Sequence, residues 1–92
     1  MNIHVSNLNF NLIESDVLRL FSVFGEVISV QLVRDKMNNR SRGRAFVTMA
    51  IEAQGKNAIV HLNRQQVRGK SISVSEVTYN PGYNTYEFRM DA

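Results

Sequence analysis

The sequence predicts an α+β fold: a four-stranded antiparallel sheet with two helices on one face and the other face open. Three observations point to it. Four short segments alternate apolar with polar residues, the period of a half-buried strand, and two longer segments repeat apolar residues every three or four positions, the period of an amphipathic helix. Their order is β-α-β-β-α-β, the split βαβ arrangement. No internal repeat or low-complexity run interrupts them.

The first strand is Asn2–Ser6, where Ile3 and Val5 alternate with Asn2, His4 and Ser6. From Glu14, the residues Val17, Leu20, Phe21 and Phe24 fall on one helical face, and Gly25 follows where a left-handed C-terminal cap would need glycine. Val27–Arg34 is rich in β-branched residues and reads as the second strand, with Val30 and Leu32 facing one way and Ser29, Gln31 and Val33 the other. The polar stretch Asp35–Ser41, with Asn38-Asn39, is a loop, and Gly43–Met49 is the third strand. Gly55, Ala58, Ile59 and Leu62 repeat the helical spacing over roughly residues 51–62, although an interior glycine costs ~1 kcal/mol relative to alanine. Val67 begins a short hairpin turning at Arg68-Gly69-Lys70, and Ser71–Val77 is the fourth strand, with Ile72, Val74 and Val77 set against serines.

Composition narrows the function classes. A chain of 92 residues with 43% hydrophobic content suits one modest core. It has no cysteine, which excludes disulfides and thiolate metal sites and makes a reducing cytoplasm the expected compartment. No signal-peptide pattern opens the sequence, and nothing approaches the ~20 apolar residues of a membrane span, so no membrane partner is expected. Net charge is only +3, yet it is unevenly placed. Residues 1–33 carry Arg19 against Glu14, Asp16 and Glu26; residues 34–70 hold nine Lys or Arg against Asp35 and Glu52; residues 71–92 hold Arg89 against Glu76, Glu87 and Asp91. A central segment at +7 between two at −2 can concentrate a polyanion such as nucleic acid, or can simply be a solvated basic surface.

Two motifs carry chemistry. Arg42-Gly43-Arg44-Ala45-Phe46-Val47-Thr48-Met49 resembles the octamer of the RNA recognition motif (RRM) family, matching five of its seven specified positions. Ile3-His4-Val5-Ser6-Asn7-Leu8 resembles the family's hexamer, with His4 its unusual position. Leu20-Phe21-Ser22-Val23-Phe24-Gly25-Glu26-Val27 and Ala58-Ile59 with Leu62-Asn63 resemble the family's two helix signatures. The resemblance covers about residues 2–77 and implies a ferredoxin-like fold, an RRM domain over residues 1–78 and an aromatic-containing tail over residues 79–92. From its extent the chain looks like the small one-domain RRM proteins of bacteria.

Unstacked bases of single-stranded RNA can be captured on flat side chains, with phosphates held by nearby cations. Strand parity places Ala45, Val47 and Met49 toward the helices, and Arg44, Phe46 and Thr48 on the open face with His4, Gln31 and Val33. Phe46 is the stacking residue the resemblance implies. His4 and Arg44 replace two usual aromatics of the platform; both have flat π-systems that can stack on a base, and Arg44 can also reach a phosphate or a guanine edge. Arg42 is expected to hold phosphate or sugar, with Arg34, Lys36 and Arg40 as auxiliary charges. Gly43 is expected to allow close backbone approach, and Asn7 to tie down the first loop.

The tail holds Tyr79, Tyr83, Tyr86 and Phe88, half of all the aromatics. The resemblance implies that Tyr79 can add a contact to RNA or that the tail can cover the platform; equally, the tail can pair with a sheet edge or with a second copy of the chain.

The fold alone licenses no function. A metal carrier would need clustered ligands, but His4 and His61 lie on opposite sides of the sheet. An enzyme of acylphosphatase type would need a first-loop Arg, which Asn7–Ile13 lacks, and no nucleophile-base pair appears. Neither cofactor nor metal is expected. The expected function is binding of single-stranded RNA, with single-stranded DNA as a related ligand, in post-transcriptional regulation or as an RNA chaperone. The alternative is a protein-interaction RRM whose platform has decayed and whose helices or tail bind a protein partner.

Overall fold

The computed structural model describes residues 1–77, and the expectations for Tyr79 and the rest of the tail lie outside them. Alternation decides the strands. Ile3 and Val5 of β1 (Asn2–Ser6), Leu32 of β2 (Val27–Arg34), and Ala45, Val47 and Met49 of β3 (Ser41–Met49) all point inward and are buried. Strand β3 starts at Ser41, two residues before the expected Gly43, so Arg42 belongs to the ladder rather than the loop.

Helix α1 (Glu14–Ser22) turns Val17 and Phe21 into the core, and Asp16 stabilises its first turn by accepting the Ile13 N–H at 2.9 Å. Gly25 does not form the left-handed cap expected of it. Its φ is +159°, far from the left-handed helical well, and the side chain of Gln54 occupies the space a Cβ would need. The space beside it is taken by the neighbouring helix, not by the end of its own.

Helix α2 (Glu52–Leu62) buries Gly55, Ala58 and Leu62. Gly55 leaves room for the Met1 side chain, whose sulfur occupies the place of an added Cβ. Beyond the helix, the Asn63 side chain accepts the Val74 N–H at 3.0 Å, tying the helix end to the sheet.

The expected hairpin is formed by β4 (Gln66–Val67) and β5 (Lys70–Ser71), with Arg68 at φ +50° and Gly69 at φ +85°. Positive φ at both central residues is what a tight type I′ turn demands. The segment expected as one strand from Ser71 is therefore split: Ser71 pairs with Gln66, and β6 (Ser73–Glu76) joins the main sheet. Val77 has the parity of Ser73 and Ser75, not that of the buried Ile72 and Val74 with which alternation was expected to group it.

The main sheet has the order β2-β3-β1-β6 and is antiparallel throughout. Both helices pack on one face, where Phe21, Ile3, Leu8, Met49 and Ile72 are fully buried. Burying each such side chain is worth about 1.5–3 kcal/mol before the entropy of ordering it. The opposite face has no covering element among the described residues. This is the ferredoxin-like β-α-β-β-α-β fold that the order of elements implied.

Candidate nucleic-acid interface

Antiparallel register builds the open face row by row. Gln31 of β2 pairs with Phe46 of β3, Phe46 with His4 of β1, and His4 with Ser75 of β6. All four therefore stand in one line across the sheet. A second row runs from Ser29 through Thr48 to Asn2, where the Thr48 hydroxyl donates to the Asn2 side-chain oxygen at 2.8 Å.

The centre of the first row is aromatic. The His4 and Phe46 rings lie 5.1 Å apart at an interplanar angle of 42°, and Phe46 remains 41% exposed although it is a large apolar side chain on a polar surface. Burial of the His4 ring, and then the charge of Arg44, hold its imidazole below the ordinary histidine pKa. In the free protein the ring therefore favours its neutral form, a flat and partly desolvated surface beside Phe46.

Arg44 and Arg42 follow Phe46 outward along β3. Arg44, Lys36 and Arg40 make no ion pair among the described residues. Arg42 has a loose one, 3.8 Å from Asp35. The Asp35 carboxylate mainly organises the loop, accepting the N–H groups of Met37 at 2.8 Å and Asn38 at 3.4 Å, and these bonds, with Arg42, lower its pKa.

Arg34 is engaged differently. Its guanidinium donates twice to Glu14, at 2.8 and 3.3 Å, and once to the Asn39 carbonyl at 3.0 Å. The pair lowers the Glu14 pKa and raises that of Arg34. The structure thus brings His4, Gln31, Phe46, Thr48 and Arg44 onto one face, leaves Arg42 exposed at the start of β3 beside Asp35, sets Lys36 and Arg40 on the adjoining loop, and gives Arg34 a structural partner on α1.

The first loop is fixed by short polar contacts. Asn7, at φ +59°, donates its side-chain amide to the Ser71 carbonyl at 2.8 Å, and the Leu8 N–H reaches the Gly43 carbonyl at 2.9 Å. Asn7 therefore ties the loop down, as expected. Gly43 has φ +76°, and a Cβ there would meet the Leu8 carbonyl and the Phe10 ring at 3.0 Å. Sequence reasoning passed over Ser75 and Asn2, which share the rows of His4 and Thr48; counting register from β1 through β6 was the signal that could have found them.

The family model described as RNA recognition motif matches residues 3–73. The 28 kDa chloroplastic ribonucleoprotein of Nicotiana sylvestris is 37% identical over 84 residues, which cover 91% of this chain and 30% of that protein. This chain thus spans about 30% of that relative's length. The crystal structure of the RNA binding protein PG1 is 37% identical, with a TM-score of 0.84 over 88% of this chain and 98% of the other. A structure described as the Sxl-lethal protein/RNA complex is 29% identical, with a TM-score of 0.81 over 86% of this chain and 47% of the other. With the family model matching residues 3–73 and the sheet order agreeing with it, the chain belongs to the RNA recognition motif family.

Proposed function

We propose that this chain binds single-stranded RNA across the open sheet face, with loose sequence preference, in post-transcriptional regulation or as an RNA chaperone. The single observation that carries the reading is the Gln31-Phe46-His4-Ser75 row: two adjacent rings, one of them substantially exposed, flanked by polar side chains and continued by Arg44 and Arg42. Bases stack on the rings, the arginines take phosphates, and Gln31, Ser75 and Thr48 supply donors and acceptors to base edges or the 2′-hydroxyl. The RNA-bound state of one structural relative and the ribonucleoprotein name of another support the same assignment. The proposal involves no catalysis.

Fluorescence anisotropy with a randomised single-stranded RNA pool and its DNA counterpart, at low and moderate salt, tests it. Phe46→Ala is expected to weaken binding by about 1–3 kcal/mol, roughly 5- to 150-fold, with little dependence on salt. Arg42→Ala should flatten the salt dependence. If neither substitution alters binding, the site lies elsewhere.

A second reading, protein binding on the helical side, is favoured by a groove of mixed lining, where Leu12, Leu20, Val23 and Phe24 lie with Asp16, Arg19, Gln65 and Arg68. An absence of RNA binding even at low salt would put that reading first.

A further inference from the structure

Phe10 sits in the loop between β1 and α1, flanked by Asn9 and Asn11, and is 65% exposed. A lone exposed apolar residue is ordinary, so its surroundings must decide. They hold it in place. The Asn9 side chain accepts the Asn11 N–H at 2.8 Å and donates to the Arg68 carbonyl at 3.2 Å, which joins this loop to the β4–β5 hairpin. The ring edge rests against Gly43, and the Lys70 ammonium stands 5.0 Å from the ring centroid.

Beside the ring, Asn11, Arg34, Asn39, Arg40 and Ser41 line a shallow concavity. Arg34 is neutralised there by Glu14, whereas Arg40 has no ion-pair partner among the described residues. Phe10 therefore has one cation, Lys70, beside its ring and shares a concavity with another, Arg40. Continuity with the sheet face is given by β3: Phe46, Arg44 and Arg42 are all exposed, and Ser41, at the start of the strand, pairs with Arg34 beside the 35–40 loop.

We propose that Phe10, Lys70 and Arg40 form a second nucleotide site, which receives the RNA strand as it leaves the sheet face along the β3 arginines. The inference rests on the RNA-binding reading above and extends it. A base stacks on Phe10 while Lys70 moves from the ring toward a phosphate shared with Arg40; stacking and charge are the two attractions that single-stranded nucleic acid offers.

The test compares two labelled single-stranded RNAs, of about four and about twelve nucleotides, in anisotropy titrations of the full chain. Phe10→Ala is expected to weaken binding of the longer RNA at least about fivefold and of the shorter one less than about twofold, while Phe10→Tyr retains both. Lys70→Glu should also lose affinity for the longer RNA and flatten its salt dependence. Circular-dichroism melting of each variant identifies any loss of fold. Equal affinity of Phe10→Ala and wild type for the longer RNA overturns the inference, as does an equal loss on both lengths, which would make Phe10 a support for the sheet face. If Phe46→Ala still weakens binding in either case, the sheet-face reading survives; if the wild-type chain binds neither RNA, both fall together.

Discussion

His4 stands where its charge would be felt by a base on Phe46 and by a phosphate near Arg44. Its pKa in the free protein lies below the ordinary ~6.5 because of burial and Arg44, and a bound phosphate would raise it. Protons are then taken up on binding, so RNA affinity should increase as pH falls through the His4 range, and the increase is complete only below the free protein's depressed value. Folding responds in the opposite sense: the unfolded chain protonates His4 more readily, so this residue's contribution to stability is fully present above ~6.5 and lost as pH drops through the folded value. Titrating RNA binding from pH 7.5 to 5 with wild type and His4→Tyr checks the first effect; an identical response in both would remove His4 as its cause. Phe46, His4 and Gln31 were legible in the sequence because a pleated strand gives each residue's side from its parity alone. The engagement of Arg34 was not, since Glu14 lies 20 residues away and only the packing of α1 beside β2 brings them together.

At the scale of elements, β3 depends on Gly43. Its φ of +76° and the 3.0 Å approach of the Leu8 carbonyl leave no comfortable place for a side chain. Gly43→Ala should destabilise the domain by about 2 kcal/mol or more, measured by urea unfolding, since a left-handed backbone alone costs a non-glycine residue ~1–2 kcal/mol. A loss below ~0.5 kcal/mol would show that the loop relaxes freely. The strands and helices were readable because their apolar periods are long enough to stand out. Their ends were less so: Ser41 and Arg42 are too polar to announce a strand, and the ladder captures them through Ser41 opposite Arg34. Gly25 misled for a related reason, because a glycine after a helix suggests a cap while the approach of Gln54 is a tertiary fact.

Across the whole molecule, three carboxylates are held below their ordinary pKa: Glu14 chiefly by Arg34, Asp16 by the Ile13 N–H, and Asp35 by the N–H groups of Met37 and Asn38. Each stabilises the fold above the ordinary carboxylate range of about 4 and loses that contribution as pH falls through its depressed value. The melting temperature should therefore drop between pH 6 and pH 2, and the triple variant Glu14→Gln, Asp16→Asn, Asp35→Asn should lose part of that acid sensitivity; an unchanged slope would assign it to other groups. The charge asymmetry visible in the sequence survives folding in part, since Arg44 stands on the open face and Arg42 and Arg40 are exposed near the start of β3, while Arg34 turns to α1. One consequence follows from the direct opposition of His4 and Phe46 in neighbouring central strands. The spacing between them is set by the backbone ladder, so in the proposed mode of binding the rings would meet a ligand already aligned, and most of the ordering entropy of association would fall on the RNA. The protein would then be a ruler with fixed marks, and a flexible strand whose bases are already unstacked would adapt to it at lower cost than one that must first be pulled out of a helix.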